Sequence, residues 1–426
     1  MKNEAIFNGR VKIFALIAFI LFLGELGQIH SQPSLISLAP FPADLRSDLS
    51  SFAINGYGYV GVGIVESTMY SSNDFWKYDP FTNSWSQIAN VPINLCMSIG
   101  FSIGGLGYLT GGISHPAPFL NRITFEYNPT TNTWANKALF PLNALIAGSV
   151  SVWNGIAYVG TGDRYQVPAY SSEFYAYDPV TDTWSLKAPI PILSDYCFSF
   201  VADNKIYFGG GNDTFNVKLF EYDPVLDSWS QKNNLPFVNP NLGFNYATGF
   251  SLSNGGYIFG GRGYNLPGLS ENFLHKYNHL NDTWSLLYTG GVSSPPYYGN
   301  NIYSPAIFVV NDIPYITQGV SGGNNYYNDL VAFTNLTSTT ESDYSNESCK
   351  VNSISNNNCS VYLPKKYIQG KIIIYSFKGE LIDTFDLHSG WNDLNINNLK
   401  SGIYLFKIFD KNSIIFSGKV AALQQN

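Results

Sequence analysis

Residues 177–184 read Tyr-Asp-Pro-Val-Thr-Asp-Thr-Trp, and this is one of five places where a Tyr and a Trp lie seven residues apart in such a stretch. The pairs are Tyr78/Trp85, Tyr127/Trp134, Tyr177/Trp184, Tyr222/Trp229 and Tyr277/Trp284. A second signal, a Tyr four residues before a Gly, occurs six times. These pairs are Tyr59/Gly63, Tyr108/Gly112, Tyr158/Gly162, Tyr207/Gly211, Tyr257/Gly261 and Tyr315/Gly319. The six tyrosines lie 49, 50, 49, 50 and 58 residues apart, a spacing typical of a repeat array.

Each unit has the same plan of four short segments. An apolar segment such as 197–202 is followed by a turn and by a second segment that ends in the glycine cluster. A variable loop, a third segment, the Asp-Pro turn and the Trp segment complete the unit. Short runs rich in β-branched and aromatic residues, separated by turn signals, predict an all-β fold.

The repeated residues have structural explanations. Asp178 can cap its own turn, and Pro179 presets the backbone that follows. The glycines lack a Cβ, so neighbouring backbone can approach closely, and Tyr and Trp offer large surfaces for packing one sheet on the next. These residues therefore predict stacked repeats rather than a catalytic site.

The sixth unit lacks the Asp-Pro turn and the Trp segment after residues 330–333. Residues 34–39 resemble the missing segment, because they match the stretch that follows each repeat Trp. We therefore expect the N-terminal strand to complete the sixth unit and to close a six-bladed propeller over residues 32–335, removing an open edge.

The two ends of the chain differ from the repeats. Lys2, Arg10 and Lys12 precede an apolar run at 13–23, which predicts a signal peptide over 1–31, with a membrane anchor as the alternative. Polar residues 336–352 predict a linker, and residues 353–426 predict a small antiparallel β-sandwich.

Composition and cysteines limit the classes of function. A formal charge of −7 and 12% charged residues do not fit a nucleic-acid-binding protein. Cys96 and Cys197 lie in apolar segments, which predicts buried thiols. Cys349 and Cys359 are candidates for a disulfide in an exported protein.

The repeats at 34–333 resemble kelch repeats, on the glycine cluster and the Tyr and Trp that follow it. This resemblance implies the propeller fold shared by galactose oxidase, sialic-acid mutarotases and many binding proteins. The last 70 or so residues resemble the C-terminal sorting domain of the type IX secretion system of Bacteroidetes, on 371–386, 390–396 and 399–407. This second resemblance implies export to the periplasm and then to the cell surface or the medium, with the secretion machinery as a partner.

The copper chemistry of galactose oxidase needs several histidines around one metal. After residue 31 the chain has His115, His275, His279 and His388, and His115 alone lies on a loop after a glycine cluster. We therefore predict no metal, no cofactor and no catalytic residue set.

The loops after the glycine clusters are the candidate mouth of a central channel. Tyr and Asn with an occasional Arg suit a sugar face, although polar loops are also simply solvated. The candidate ligand-binding residues are Arg46, Asp163, Arg164, Tyr165, Asn212, Asp213, Arg262, Tyr264, Asn324 and Tyr326. Related propellers often carry an Arg before each inner strand, whereas here Arg46 alone has that position.

Three functions are compatible with this sequence. The favoured hypothesis is an exported, monomeric, non-catalytic propeller that binds a glycan or a protein. A carbohydrate-active enzyme such as a sialic-acid mutarotase or epimerase is the second, and it requires converging Arg and Glu side chains. A purely structural surface module is the third.

Overall fold

The computed structural model describes residues 33–116, 119–143, 145–165, 169–211, 217–235, 244–263, 272–290, 305–321, 325–334, 336, 350–351, 354–355, 358–363, 369–376, 381–396, 402–410 and 413–423. Regular structure in these residues is all strand, without a helix. No described segment is therefore a helix long and apolar enough to cross a membrane.

The strands before residue 140 are β1 (Ser34–Leu38), β2 (Arg46–Ser47), β3 (Ser50–Ile54), β4 (Tyr57–Gly61), β5 (Ile64–Val65), β6 (Phe75–Asp79), β7 (Ser84–Gln87), β8 (Ile99–Ile103), β9 (Leu106–Thr110), β10 (Ile113–Ser114), β11 (Phe119–Leu120), β12 (Ile123–Asn128) and β13 (Thr133–Leu139). Those from 149 to 334 are β14 (Ser149–Trp153), β15 (Ile156–Gly160), β16 (Phe174–Asp178), β17 (Thr183–Lys187), β18 (Cys197–Ala202), β19 (Lys205–Gly210), β20 (Leu219–Asp223), β21 (Ser228–Lys232), β22 (Phe244–Leu252), β23 (Gly255–Gly263), β24 (Asn272–Asn278), β25 (Thr283–Gly290), β26 (Ala306–Val310), β27 (Ile313–Ser321) and β28 (Asn325–Thr334).

These strands build six four-stranded antiparallel sheets. Sheets I to V are consecutive meanders: β3-β4-β6-β7, β8-β9-β12-β13, β14-β15-β16-β17, β18-β19-β20-β21 and β22-β23-β24-β25. Sheet VI has the order β26-β27-β28-β1, so its fourth strand comes from the other end of the chain. Ser34 pairs with Thr334 and Leu38 with Leu330, which confirms the predicted pairing of residues 34–38 with the sixth unit.

Hydrophobic clusters form between the sheets. Five of them join consecutive sheets, from I and II through to V and VI. A sixth cluster packs Phe308, Tyr315 and Leu330 of sheet VI against Val60 and Tyr78 of sheet I. The aromatic residues of the repeats dominate these cores, as their large apolar area predicts.

The turn between the third and fourth strands holds neighbouring sheets together. The residue five positions after each repeat Tyr is Asn or Asp in all five copies: Asn83, Asn132, Asp182, Asp227 and Asp282. Its Oδ1 accepts the Tyr hydroxyl at 2.6–3.0 Å. The same oxygen accepts a backbone N–H at the end of the outer strand of the neighbouring sheet or just after it, at 2.8–3.0 Å. We call this arrangement the Asx clamp.

The predicted turn cap is present in the same turn. The Val180 N–H donates to Asp178 Oδ1 at 2.8 Å. Asn takes the place of Asp in sheets II and V, where Asn128 and Asn278 accept the equivalent N–H at 2.9 and 3.0 Å. The cap therefore needs a short side-chain oxygen rather than a charge.

The repeat glycines adopt a conformation that favours glycine. The φ angle lies between +85° and +111° at the repeat glycine of sheets I to V: Gly63, Gly112, Gly162, Gly211 and Gly261. Space is also short, because a Cβ added to Gly112 would lie 2.7 Å from the Cys96 carbonyl oxygen, and one added to Gly162 would lie 2.8 Å from that of Ile146. This is the close approach of neighbouring backbone that the sequence predicts.

The expected end of the second strand needs correction in two sheets. Strand β23 continues past Gly261 to Gly263, and β27 continues past Gly319 to Ser321. The register of β23 on β22 is the same on both sides of Gly261, since Ala247 pairs with Gly260 and Asn245 with Arg262, whereas in β27 a register shift separates Thr317 from Gly319. Pairing continues beyond the glycine in both strands, and a glycine motif does not specify how far the adjoining loop continues the ladder.

The five repeat tryptophans pack against the Tyr seven residues earlier. The Tyr and Trp ring centroids lie 4.8–5.0 Å apart in every copy. Each Trp side chain also contacts the cluster between its own sheet and a neighbouring sheet, which is sheet VI for Trp85 and the preceding sheet for the other four, in agreement with the role expected from its size. These residues are Trp85, Trp134, Trp184, Trp229 and Trp284.

The same five tryptophans differ in whether their indole N–H group forms a hydrogen bond. Trp85, Trp134 and Trp229 donate to the carbonyls of Ala39, Ala89 and Ala188 at 2.8–2.9 Å. The buried Nε1 atoms of Trp184 and Trp284 have no hydrogen-bond partner among the described residues. All five tryptophans therefore contribute packing, whereas three of them also form a hydrogen bond to the neighbouring sheet.

The C-terminal strands are β29 (Lys350–Val351), β30 (Ile354–Ser355), β31 (Asn358–Leu363), β32 (Gln369–Ser376), β33 (Leu381–His388), β34 (Gly390–Asn395), β35 (Gly402–Asp410) and β36 (Ser413–Leu423). Strands β31 and β34 share one core with β32 and β35, in which Val361, Ile372 and Ile408 are fully buried. One expectation needs correction: the pairing is not purely antiparallel, because β30 pairs with β36 in parallel. A strand of two residues can take either direction, and alternation in the sequence does not specify which.

Candidate ligand site at the central cavity

The first strands of all six sheets surround one cavity of about 260 Å³. Its wall combines the residues just before these strands with the first residues within them. The cavity therefore lies where the N-terminal ends of β3, β8, β14, β18, β22 and β26 come together.

Five residues at this end share an unusual backbone. Asp48, Met97, Ala147, Tyr196 and Tyr246 precede or begin the inner strands of sheets I to V, and each has a φ between 50° and 60°. We call these five residues the mouth ring. A left-handed conformation costs a residue other than glycine roughly 1–2 kcal/mol, so something must compensate for it.

Backbone hydrogen bonds between sheets provide that compensation for four of the five residues. The Met97 N–H donates to the Asp48 carbonyl at 3.0 Å, the Ala147 N–H to Met97 at 3.1 Å, and the Tyr196 N–H to Ala147 at 3.0 Å. Each of these left-handed residues thus links its sheet to the preceding one. The strained backbone fixes where the side chains of the mouth ring stand.

Two tyrosines of the mouth ring are in contact. The Tyr196 and Tyr246 ring centroids lie 4.0 Å apart at an interplanar angle of 41°. The Tyr196 hydroxyl donates to Met97 Sδ at 3.5 Å. Burial raises the pKa of Tyr196, and the charge of Asp48 raises it further, so the hydroxyl keeps its proton near the Asp48 carboxylate.

Asp48 is the acidic residue of the mouth ring. Its carboxylate accepts a hydrogen bond from Ser47 Oγ at 2.9 Å. Burial raises the pKa of Asp48, while the Ser47 hydrogen bond and the charge of His115 act in the opposite direction. His115, from the loop after the second glycine cluster, therefore acts electrostatically on the same end of the cavity.

Hydroxyl groups along the inner strands hold the sheets together. Ser50 Oγ lies 2.6 Å from the Ser98 carbonyl oxygen, and Ser199 Oγ donates to the Val150 carbonyl at 2.7 Å. Ser149 Oγ donates to the Cys197 carbonyl in the same way. These serines are engaged between sheets, which leaves the mouth ring as the main source of ligand-directed chemistry in the cavity wall.

Arg46, one of the predicted ligand residues, is buried and engaged within the protein. Its Nη1 lies 2.5 Å from Asp74 Oδ1, and its Nη2 lies 3.2 Å from Asp74 Oδ2. Burial raises the pKa of Asp74, but hydrogen bonds from Arg46 and Ser72 outweigh it, and the pKa of Asp74 is lowered overall. The Arg46 charge is thus neutralised by Asp74, and we leave Arg46 out of the proposed ligand site.

The other predicted ligand residues divide into two groups. Asp163, Arg164 and Tyr165 are described: the Tyr165 N–H donates to Asp163 Oδ1 at 2.6 Å, and the Tyr165 side chain is 57% exposed. Strands β23 and β28 include Arg262 and Tyr326, whose side chains lie outside the description. Asn212, Asp213, Tyr264 and Asn324 lie outside the described residues.

The residues predicted to form the structural repeat lie away from the cavity wall. The wall is built from the first strands, whereas these glycines lie in the last part of the second strand or just after it, and these tryptophans lie on the fourth strand. We therefore assign them to the fold and not to the ligand site: Gly63, Gly112, Gly162, Gly211, Gly261, Gly319, Trp85, Trp134, Trp184, Trp229 and Trp284.

The cysteine predictions have different outcomes. Cys96 and Cys197 are buried thiols, as predicted, and burial raises the pKa of each to about 12. Cys359 is buried in the C-terminal core. Cys349 lies outside the described residues, so the Cys349–Cys359 disulfide stays a prediction.

Sequence reasoning missed the mouth ring. Its five positions hold Asp, Met, Ala and two Tyr, so no side-chain pattern marks them. The one available signal was position, because each of the five residues lies eleven residues before the repeat Tyr of its unit.

Comparisons with known proteins bear on both parts of the chain. Residues 354–420 match the family described as the secretion system C-terminal sorting domain, which confirms that resemblance and indicates type IX export to the cell surface or the medium. A solved structure titled "Structure of YjhT" is similar to 69% of this chain and 95% of its own, with a TM-score of 0.56 and 17% identity. At that identity the likeness supports a propeller-like all-β fold alone. No curated protein matches the sequence significantly.

Proposed function

We propose that this chain is an exported six-bladed propeller that binds a glycan or a protein at its mouth ring. In this proposal, residues 1–31 are a signal peptide, 32–335 the propeller, 336–352 a linker and 353–426 the sorting domain. Pairing of β1 with β28 and the cluster between sheets VI and I support ring closure.

One observation carries the binding role: a carboxylate and two contacting tyrosines converge on one solvent cavity. Tyrosine rings stack on the apolar faces of sugars, and a carboxylate accepts hydrogen bonds from hydroxyl groups. A volume of about 260 Å³ is close to the lower end of small-molecule sites, which suits a single sugar unit of a longer chain.

A glycan array with the full chain tests this proposal. We expect specific signals that weaken about tenfold in Tyr246→Asn, because loss of one stacked aromatic costs of order 1 kcal/mol or more. Asn accepts the left-handed backbone of Tyr246. Met69→Asn is the matched control, since Met69 is also left-handed and is exposed but lies outside the mouth ring and outside the candidate ligand-binding residues. Equal loss in both variants, or a blank array with no protein ligand captured, would contradict the proposal.

A carbohydrate-active enzyme, such as a sialic-acid mutarotase or epimerase, is the second candidate. The observation in its favour is Asp48, an acid with a raised pKa facing the cavity near His115. Engagement of Arg46 by Asp74 weakens the case for an acidic sugar. NMR exchange spectroscopy of sialic-acid anomers, with and without the full chain, distinguishes the candidates. If the protein accelerates exchange between the anomers and the Asp48→Asn variant does not, the enzyme is favoured.

A further inference from the structure

We propose that the mouth ring selects a glycan that carries a protonated amine, with Asp48 as its counter-ion and Tyr196 and Tyr246 as its aromatic wall. This inference rests on the proposed function and specifies the ligand class for the same site. It follows from three features of the cavity: the state of its acid, the charge around that acid and a pair of aromatic rings.

The first feature is the state of Asp48. Its protein hydrogen-bond donor is the neutral hydroxyl of Ser47, at 2.9 Å. Within the part of the chain that the structure describes, no Lys or Arg forms an ion pair with Asp48. A half-buried carboxylate without a Lys or Arg partner is destabilised by desolvation, and an incoming ammonium group would relieve that cost.

The second feature is the charge around the site. Arg46, the nearest cation in sequence, is neutralised by Asp74. Asp195 is buried beside Tyr196, and its charge also raises the pKa of that tyrosine. His115 acts electrostatically on Asp48 in the direction that lowers its pKa, but burial outweighs this and the pKa of Asp48 is raised overall. The local field therefore attracts cations and repels sugars that carry a carboxylate.

The third feature is the aromatic pair. The Tyr196 and Tyr246 rings lie side by side on the same cavity wall as Asp48. Aromatic faces attract ammonium groups, most strongly where water is partly excluded. A carboxylate next to two such rings recognises a protonated amine better than it recognises the neutral acetamide of the same sugar.

Two oligosaccharides that differ only in this group make the test sharp. A glucosamine tetramer and its fully N-acetylated form are titrated into the full chain by calorimetry, at about pH 6, where a free amine is largely protonated. We expect the amine form to bind about tenfold more tightly, and its binding to weaken as salt is raised.

Asp48→Asn separates charge from shape, because Asn keeps the size, the left-handed backbone and the acceptor for Ser47. We expect this variant to lose the preference for the amine and to keep its affinity for the acetylated form. Asp178→Asn is the matched control: it removes one carboxylate from an outer turn, where Asn128 and Asn278 already cap the equivalent turns.

The outcomes distinguish the two proposals. If the acetylated tetramer binds as tightly as the amine form, and if Tyr246→Asn abolishes this binding, the amine inference is overturned but the glycan site remains. If Asp48→Asn still binds the amine tetramer more tightly than the acetylated tetramer, the inference is also overturned. Absence of binding by either tetramer, together with a blank glycan array, overturns the glycan site and the inference with it.

Discussion

At the scale of single residues, the Asx clamp combines three tasks in one side chain. Asp227 takes a left-handed backbone with φ 49°, which Asn and Asp tolerate better than most residues. Its Oδ1 accepts the hydroxyl of Tyr222, which is fully buried, and the Ala188 N–H of the neighbouring sheet. Trp229 Nε1 donates to the Ala188 carbonyl at 2.9 Å, so both polar groups of one peptide segment are satisfied.

We predict that Asp227→Ala lowers the free energy of unfolding by about 2–3 kcal/mol, because it leaves the buried Tyr222 hydroxyl without its acceptor and strains the backbone. Asp227→Asn should cost less than about 1 kcal/mol, since Asn83 and Asn132 form the same clamp in sheets I and II. Urea unfolding of the three proteins measures this difference. Equal midpoints for the Ala and Asn variants would contradict the role of the clamp.

The clamp also has a pH dependence. Burial raises the pKa of Asp227, but hydrogen bonds from Tyr222 and Ala188 outweigh it and hold the pKa below its ordinary value of 3.8. The contribution of this ionised acid is therefore complete above about pH 4 and is lost as the pH falls through the folded-state pKa. When urea unfolding is repeated in that acidic range, the difference in the free energy of unfolding between wild type and Asp227→Asn should become smaller.

At the scale of strands, the inner two strands of neighbouring sheets match each other in size. The residue before the repeat Tyr is Gly58, Gly107 or Gly256 in sheets I, II and V, and an added Cβ would lie 2.0–2.3 Å from a Phe ring of the preceding sheet. Where sheet III carries Ser151 in place of that Phe, sheet IV carries Ile206 in place of the glycine. The exchange preserves the combined volume, which close-packed interiors require.

The N-terminal strand belongs to the fold and can be tested by substitution. Leu35 packs against the core between sheets V and VI, whereas Ser37 is exposed on the same strand. We predict that Leu35→Asp lowers the free energy of unfolding by about 2–4 kcal/mol, because it buries a charge and removes apolar contacts. Association should also increase, since loosening β1 uncovers the edge of β28.

Ser37→Asp is the control for this strand, and it should unfold at nearly the wild-type urea concentration. Light scattering detects association in the same samples. A fully stable, monomeric Leu35→Asp protein would show that sheet VI does not depend on its N-terminal strand.

At the scale of the whole molecule, two regions carry different tasks. The described sheets I to VI surround the cavity and the mouth ring, and residues 354–420 match the sorting family. An independent core containing Val361 and Ile372 accounts for the C-terminal strands. Export and the proposed binding role can therefore be tested separately by truncation.

We predict that removal of residues 353–426 retains the protein inside cells, because the sorting domain engages the secretion machinery. Immunoblots of cell, surface and medium fractions measure the distribution, which should shift by about tenfold or more in favour of the cell fraction for a step that depends on one recognition element. Fusing residues 353–426 to an unrelated periplasmic carrier is the complementary control. Export of the truncated protein at the full-length level would contradict the prediction.

The sequence by itself determined the strands, the repeat and the origin of the N-terminal strand. Period, turn residues and aromatic spacing are local properties, and each unit must satisfy the same packing with its neighbours, so the Tyr–Gly signal occurs six times and the Tyr–Trp signal five times. The C-terminal strands followed from alternation in the same way, although the parallel pairing of β30 with β36 did not. The extension of β23 and β27 past Gly261 and Gly319 did not follow either, because it depends on pairing between the loop segments.

Only the tertiary structure decided the candidate site. Asp48, Tyr196 and Tyr246 come from three different units, at positions whose side chains follow no repeat. They meet because the inner strands converge, and the left-handed backbone of Asp48 and Tyr196 takes part in hydrogen bonds between sheets rather than being set by local sequence. Arg46 was predicted as a ligand residue from its type and position, but the fold places Asp74 against it. The partner of a buried charge comes from residues distant in the chain, so the sequence did not reveal this ion pair.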